Sequence, residues 1–203
     1  MQIFSTVWET TRLPPSYAAP LERADQLWVP TAWGRELLVG SGLDGNRIRV
    51  VPAGVDAARF RPAPDAPVRP RFSFLCVGKW EARKGSTDLV RTFIREFGPD
   101  EPVELVMHAH HPFYPIRDVR ALIAKEARAQ GRENVPIIVS DPTDFTGLIK
   151  LMQNSDAFVL PTRGEGWGLP ILEAMACGLP CIVTDYGGHR TFASPRGAMR
   201  SAS

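Results

Sequence analysis

Short apolar runs alternate with segments of helical periodicity along most of this chain, and this alternation limits the fold more than any other feature. The runs predicted as strands are residues 26–29, 48–51, 72–77, 103–109, 135–139, 157–160 and 181–184. Several of them are apolar throughout, which is typical of parallel strands covered on both faces. The pattern predicts an α/β fold with a doubly wound parallel sheet.

Helices are predicted between these strands. The segments with helical spacing are residues 31–39, 86–97, 117–130, 145–154 and 170–177. Asp144 is a suitable N-cap for the fourth of them. Pro170 at the start of the fifth and Gly178 after its end follow the usual preference of helix termini for these two residues.

A proline-rich stretch divides the chain into parts of unequal size. Pro62, Pro64, Pro67 and Pro70 crowd together in residues 59–70, which excludes a helix or a central strand there. Residues 1–51 hold too few elements to close a sheet, so we expect the remnant of an N-terminal domain. Residues 52–70 are then a linker, residues 71–193 the main α/β domain, and residues 194–203 a disordered tail. We expect a chain cut short at both ends.

Composition excludes several classes of protein. Apolar residues make up 44% of the 203 residues, too many for a disordered chain. The formal charge of +2 is spread along the sequence, and no nucleic-acid-binding motif occurs. Membrane-spanning segments need about 20 apolar residues, and no run approaches that length. Without a signal peptide, and with Cys76, Cys177 and Cys181 interpreted as buried reduced thiols, the expected location is cytoplasmic.

The segment most suggestive of chemistry directly follows the predicted strand 157–160. Gly164, Gly166 and Gly168 surround Glu165 and Trp167, and glycines let a backbone approach a ligand closely. The helix that begins near Pro170 points its free N–H groups and positive dipole end at this loop. A glycine loop before a helix N-terminus is a suitable anion site.

Two carboxylates mark the same segment, Glu165 in the loop and Glu173 in the helix. A carboxylate can accept hydrogen bonds from paired hydroxyls, as in a sugar or a ribose. Together with the anion site, they suit a ligand that carries phosphates and vicinal diols, such as a nucleoside diphosphate sugar. Taken singly, each feature also fits a solvated glutamate or an ordinary glycine turn.

The pattern Glu165-Gly-Trp-Gly-Leu-Pro-x-x-Glu173-Ala-Met-Ala-x-Gly-x-Pro resembles the paired-glutamate signature of retaining GT-B glycosyltransferases of family 4. Three further segments are similar to segments of that family. Residues 51–62 resemble its interdomain segment, residues 77–85 its phosphate-binding loop, and residues 184–188 the loop that closes its donor site. The resemblance runs with gaps from about residue 24 to residue 188.

The resemblance implies two Rossmann-like domains, of which the second binds a nucleotide sugar and the first is present here only as a remnant. It implies that Glu165 binds hydroxyls of the transferred sugar and that Glu173 binds the ribose. Backbone N–H groups of Gly166, Trp167, Gly168 and Leu169 would face the sugar and the diphosphate. No metal ion and no other cofactor is implied, because basic side chains and a helix end take the place of a divalent cation.

Basic residues follow the predicted strand 72–77, at the carboxyl end of that strand. Lys79, Arg83 and Lys84 could neutralise a departing diphosphate, and Gly78 lets the loop turn toward it. The family usually places Arg directly after this glycine, where the present chain has Lys79. Lys84 is preferred over Arg83 as phosphate ligand, because it belongs to the Lys-Gly pair that the family keeps. As an alternative to binding phosphate, Arg83 and Lys84 could be ordinary loop residues whose charges are solvated.

Two other clusters remain open from the sequence. His108, His110 and His111 suggest a metal site, but no carboxylate or thiol completes the set, and a loop near the cleft is the favoured interpretation. Residues 8–11, Trp-Glu-Thr-Thr, fit either an acceptor cleft or ordinary packing at a strand end.

By resemblance, the function expected is transfer of a hexosyl unit from a nucleotide sugar to an acceptor hydroxyl, with retention of configuration. The acceptor would be a carbohydrate or a lipid-linked sugar, with peripheral membrane contact and without nucleic acid. Two alternatives stay open: an inactive nucleotide-sugar-binding fragment, and a GT-B-fold sugar-nucleotide epimerase. The family tends to place a carboxylate a few residues after Gly188, and residues 189–192 contain none.

Overall fold

The structure is a computed structural model, which describes residues 1–64, 69–109, 118–193 and 198–201. Its first unit contains three strands and two helices. In chain order these are β1 (Ile3–Ser5), α1 (Pro15–Glu22), β2 (Gln26–Val29), α2 (Ala32–Gly40) and β3 (Ile48–Val50). The strands form one parallel sheet in the order β1-β2-β3. Buried Leu27, Leu38 and Ile48 are part of a small core that belongs to this unit alone.

In the residues that the structure describes, the second unit contains six strands and four helices. They are β4 (Phe72–Val77), α3 (Ser86–Glu96), β5 (Val103–His108), α4 (Val119–Ala129), β6 (Ile137–Val139), α5 (Phe145–Gln153), β7 (Ala157–Leu160), α6 (Leu169–Ala176), β8 (Cys181–Thr184) and β9 (Ala198–Ser201). All neighbouring strands are parallel. The larger core lies in this unit, and Leu75, Leu105 and Phe158 at its centre have no exposed surface.

The strand order of the second sheet is β6-β5-β4-β7-β8-β9. The chain therefore moves outward from β4 in one direction, returns to β7 and moves outward in the other. In open α/β sheets, the loops at the carboxyl ends of the two strands where the order reverses diverge and leave a crevice for ligands. Here those loops are residues 78–85 after β4 and residues 161–168 after β7.

The helices of the second unit begin in two different ways. The carboxylates of Asp118 and Asp144 accept hydrogen bonds from Ala121 N and Gly147 N, and so cap α4 and α5. By contrast, α3 and α6 begin after Gly85 and Gly168, which have left-handed conformations and provide no side-chain cap. The two helices without such caps are the two that follow the loops at the reversal of strand order.

Most elements confirm the sequence predictions to within two residues, including the cap at Asp144. Two short elements of the first unit, β1 and α1, were not predicted. All three residues of β1 are exposed, and α1 contains Pro20 and no buried residue. Neither element therefore carries the apolar periodicity on which the predictions depended.

The C-terminal end requires a correction. Residues 194–203 were predicted to be a disordered tail, whereas Ala198–Ser201 form β9 and pair with all four residues of β8. Small and polar residues carry little strand signal of their own, and this strand is defined by pairing with a neighbour that the local sequence does not reveal.

In the described ranges, no helix is long and apolar enough to cross a membrane.

Candidate functional site

The loop after β4 is held at both ends. Gly78 N–H donates to His108 O at 3.1 Å, which ties the start of the loop to the end of β5. At the other end, Gly85 has φ +69°, and a Cβ there would collide with the backbone carbonyl oxygen of Pro161. Glycine is needed at this position because the two loops at the reversal of strand order touch there.

The loop after β7 is joined to the first loop by main-chain contacts. Arg163 N–H donates to Arg83 O at 2.7 Å. Thr162 is fully buried, and its Oγ1 lies 3.2 Å from Arg83 O and 3.2 Å from Glu165 Oε1. Thr162 was not singled out from the sequence, although a polar residue two positions after a buried strand was a signal available there. Its hydroxyl helps to fix the carboxylate that follows.

Glu165 lies inside this contact region with only 3% of its surface exposed. Its Oε1 accepts a hydrogen bond from the ammonium group of Lys84, which is itself buried. The same oxygen lies 3.4 Å from Arg83 Nη1. A buried carboxylate is costly unless it is paired and hydrogen-bonded, and two cations and a hydroxyl satisfy that need here. Three of the predicted site residues, Glu165, Lys84 and Arg83, thus converge on one point.

Arg83 connects this point with the first unit. Its Nη1 donates to Gly164 O at 2.8 Å, and its Nη2 lies 3.2 Å from Glu9 Oε2 and 3.5 Å from Glu81 Oε2. Glu9 follows β1 and is the contribution of the first unit to the cluster. Burial raises the pKa of Glu9 above its ordinary value, an effect that the nearby Arg83 opposes.

Two glycines of the loop after β7 lie against the first unit. A Cβ on Gly164 would collide with Glu9 O, and a Cβ on Gly166 would lie 2.5 Å from Trp8 O. The backbone that approaches these glycines is therefore the chain's own segment 7–9. Gly168 has φ +91° and provides the turn into α6.

Glu173 occupies a contrasting environment on α6. It is half-buried and, within the ranges described, its carboxylate has no hydrogen bond or ion pair. Burial raises the pKa of this carboxyl. The structure does not bring Glu173 into contact with Lys84 or Arg83, so the two predicted glutamates differ in their surroundings.

The remaining residues of the segment lie at the start of α6. Trp167 is buried, and its ring centroid lies 4.9 Å from that of Phe192. Its Nε1 is buried and has no hydrogen-bond partner among the described residues. Leu169, the first residue of α6, is 47% exposed. The beginning of this helix is therefore open on the side of Leu169 and closed on the side of Trp167.

The loop after β8 lies against the glycine segment. Gly188 N–H donates to Glu165 O at 2.6 Å. His189 is fully buried, and its Nε2 lies 2.7 Å from Thr184 O. Because a carbonyl only accepts, Nε2 carries the proton, and burial lowers the pKa of this imidazole. Residues 184–188 and the segment around Glu165 are therefore neighbours in the structure.

Lys79 belongs to the loop after β4, and its carbonyl oxygen accepts from Ser86 Oγ at 3.5 Å, beside the start of α3. At the end of β5, His108 Nδ1 lies 2.7 Å from Ser140 Oγ. His110 and His111 are outside the described residues. In the described part of the chain, no three His, Cys, Asp or Glu side chains are grouped so that they could hold a metal ion.

The three cysteines are free and buried, as predicted. Burial raises the pKa of the Cys76 and Cys181 thiols to about 12. Such thiols stay protonated at neutral pH, and because the thiolate is the reactive form, they are poor nucleophiles. They are structural residues of the core, and the candidate site depends on other groups.

Comparisons with known proteins agree on one group of enzymes. D-inositol 3-phosphate glycosyltransferase of Pseudarthrobacter chlorophenolicus is 31% identical over 162 residues, which cover 75% of this chain and 37% of the relative. Mannosylfructose-phosphate synthase of Agrobacterium fabrum is 28% identical over 184 residues, 78% of this chain and 39% of the relative. The chain thus spans about two fifths of the length of these curated relatives.

Solved structures support the same fold. Sucrose-phosphate synthase from Thermosynechococcus elongatus matches with a TM-score of 0.76 and 22% identity, over 91% of this chain and 47% of that one. HepE of Anabaena in complex with UDP and glucose matches with a TM-score of 0.79 and 16% identity, over 98% of this chain and 57% of that one. These neighbours have the GT-B fold, so the predicted α/β, Rossmann-like fold class is confirmed.

The family comparison covers most of the second unit. Residues 71–198, which include the loops after β4, β7 and β8, match the model of the family described as glycosyl transferases group 1. This match contains Gly78, Arg83, Lys84, Glu165 and Glu173. The chain belongs to the glycosyl transferases group 1 family.

Proposed function

We propose that this chain is the nucleotide-sugar-binding part of a retaining glycosyltransferase. The reaction would transfer a hexosyl unit from a nucleoside diphosphate sugar to the hydroxyl of a carbohydrate or lipid-linked acceptor. The observation that carries this proposal is the position of Glu165, Arg83 and Lys84 at the reversal of strand order, between the starts of α3 and α6. Ligands of doubly wound sheets bind at the carboxyl ends of the strands where the order reverses.

The two helix starts supply the anion-binding part of the proposal. Because α3 and α6 follow glycines without side-chain caps, the first N–H groups of α3 and the N–H group of Leu169 at the start of α6 remain available for phosphate oxygens. Arg83, Lys84 and Lys79 add positive charge on the same side. As the bond to the sugar breaks, negative charge grows on the departing diphosphate, and preorganised donors stabilise it most at that stage.

The two carboxylates would hold the hydroxyl-bearing parts of the donor. We assign the transferred sugar to Glu165 and the ribose to Glu173, with the N–H groups of Gly166 to Leu169 facing the sugar and diphosphate. Glu173 suits ribose because it is half-buried and unpaired in the described structure, so its oxygens remain available to paired hydroxyls. Because its contacts with Lys84, Arg83 and Thr162 all use Oε1, Glu165 would bind a sugar hydroxyl through Oε2 and keep those contacts.

The comparisons support the donor class. HepE, a structural neighbour, was solved with UDP and glucose and with UDP-glucose, and a curated relative is named D-inositol 3-phosphate glycosyltransferase. Retention would follow from departure and attack on the same face of the sugar, with the leaving phosphate accepting the proton of the acceptor hydroxyl. We place the protein in the cytoplasm, where its three free thiols would stay reduced.

Calorimetry with UDP, GDP and ADP, followed by turnover assays with the corresponding sugar nucleotides, tests the proposal. We expect one diphosphate to bind and Glu173→Ala to weaken it about tenfold, the loss of one good hydrogen-bonding carboxylate. Glu36→Ala, an exposed glutamate of α2, is the matched control and should bind like the parent. Equal binding by Glu173→Ala and the parent would refute the assignment of the ribose.

Turnover separates the competing activities. Sugar transferred with retained configuration supports the proposal, and transfer should persist in EDTA because side chains and helix ends carry the charge. Binding without transfer would identify a binding fragment. Recovery of a free sugar nucleotide with one inverted centre would instead identify an epimerase.

A further inference from the structure

The Arg83 guanidinium has one firmly held edge and one loosely held edge. On the firm edge, Nη1 donates to the backbone oxygen of Gly164 at 2.8 Å. On the loose edge, the contacts of Nη2 with described residues are to carboxylates, Glu9 at 3.2 Å and Glu81 at 3.5 Å. Charge-assisted N–H···O bonds are usually about 2.7–2.9 Å long, so both contacts of the loose edge are long. The glycine loop orients Arg83, and the carboxylates only occupy its second edge.

The local charge around Arg83 is unfavourable for a further anion. Three carboxylates, Glu9, Glu81 and Glu165, already contact Arg83, so its positive charge is shared among them before a ligand arrives. A diphosphate brings more negative charge to the same place. Its binding is therefore opposed unless one carboxylate moves away.

Glu9 is the carboxylate best able to leave. Glu165 is buried against Lys84, and the Glu9 side chain, at 38% exposed, is more accessible than that of Glu81 at 29%. Glu9 also lies on a segment of the first unit. Its backbone oxygen rests against Gly164, so the segment is positioned independently of the carboxylate. Rotation of the side chain into solvent would free Nη2 of Arg83 without moving the glycine loop.

We infer that Glu9 is an internal competitor for the donor: its carboxylate occupies the edge of Arg83 that a diphosphate takes, and the diphosphate displaces it. This inference rests on the proposed function. It gives the first unit a direct part in donor binding, because Glu9 lowers the affinity of the site for diphosphates and leaves the affinity for an uncharged nucleoside unchanged. Donor binding in turn removes one ionic contact between the two units.

Substitution of Glu9 by glutamine tests the competition. Glu9→Gln keeps the size and polarity of the side chain and removes the charge. We expect the diphosphate that binds best among UDP, GDP and ADP to bind about two- to fivefold more tightly, the range for one partly exposed ion pair. Binding of the corresponding nucleoside should not change. Glu36→Gln, an equal change of charge elsewhere in the first unit, is the control and should leave both affinities unchanged.

A double variant links the effect to Arg83. In the background of Arg83→Gln, the further change Glu9→Gln should give no gain in diphosphate affinity, because no guanidinium remains to compete for. Arg83→Lys serves as a second background, in which the gain should shrink. Calorimetry is accompanied by thermal unfolding to establish that each variant is folded.

The outcomes distinguish the inference from the proposed function. If the parent binds a diphosphate and Glu9→Gln binds it equally or more weakly, Glu9 is not a competitor and only the inference fails. The same holds if the gain persists in both Arg83 backgrounds. If the parent binds none of the three diphosphates, the proposed function and the inference fail together.

Discussion

The glycine loop and helix α6 carry one glutamate each, and the two side chains differ in almost every respect. Glu165 in the loop is 3% exposed and is surrounded by Lys84, Arg83 and the hydroxyl of Thr162. Glu173 in α6 is half-buried, and no ion pair or hydrogen bond of the described structure satisfies it. One carboxylate is neutralised within the fold, and the other is not.

This difference has opposite consequences for stability. A buried, well-paired carboxylate resists any change of its partners, because loss of one partner leaves an uncompensated charge. A partly buried carboxylate without a partner loses hydration and gains nothing in return, which is the cause of its raised pKa. Residues that reduce stability are often retained where they serve a ligand, and Glu173 fits that description under the function proposed above.

The largest expected effect comes from breaking the pair in the glycine loop. Lys84→Met should lower the free energy of unfolding by about 3–5 kcal/mol, because Glu165 would keep its charge in a buried position. The measurement is urea unfolding at pH 7. Lys125→Met, at an exposed position on α4, is the control and should change stability by less than about 0.5 kcal/mol. Equal effects of the two substitutions would mean that the buried pair does not stabilise the loop.

The next effect concerns the packing of the loop against the first unit. Gly166→Ala places a Cβ at 2.5 Å from Trp8 O, and the resulting overlap should cost about 1–3 kcal/mol. Gly40→Ala is the matched control, since a Cβ there meets no atom within 4 Å. Thermal unfolding compares the two. A parent-like Gly166→Ala variant would show that segment 7–9 is not held against the loop in solution.

A smaller effect of opposite sign is expected in α6. Glu173→Gln should raise the free energy of unfolding at pH 7 by about 0.5–1 kcal/mol, because the amide removes an unpaired charge. The folded-state pKa of Glu173 is raised above its reference value of 4.5, so the folded state of the parent loses stability as the pH rises from 4.5 through that folded-state pKa. The advantage of the variant should therefore vanish below about pH 4. Unfolding measured between pH 3.5 and 8 would contradict this if the difference were constant or grew toward acid.

The smallest effect belongs to an exposed ion pair beside the same loop. Arg163 Nη2 lies 2.7 Å from Asp88 Oδ2, and both side chains are more than half exposed. Arg163→Gln should cost less than about 0.5 kcal/mol, and about 0.5 M salt should abolish the difference. A loss of stability as large as that of Lys84→Met would mean that burial does not determine how much each ion pair contributes to the free energy of unfolding.

Local sequence determined a large part of this fold and named most residues of the candidate site. Strand β7, with four apolar residues, and the cap of α5 at Asp144 were predictable, because each depends on hydrogen bonds and periodicity within a few residues. The glycines and acidic residues between 164 and 173 marked the site because they lie close together in the sequence. The exposed strand β1, by contrast, offered no apolar periodicity from which to predict it.

Only the tertiary structure decided how these pieces meet. The strand order that places the loops of β4 and β7 side by side, the pairing of Lys84 with Glu165 across 81 positions, and the contact of Glu9 with Arg83 join residues far apart in the chain. Such contacts depend on which strands become neighbours and on which side chains then share a buried space. No local pattern encodes that choice, because it is made by the packing of the whole sheet. The sequence determined which groups the site contains, and the packing determined that one of its two glutamates is already paired.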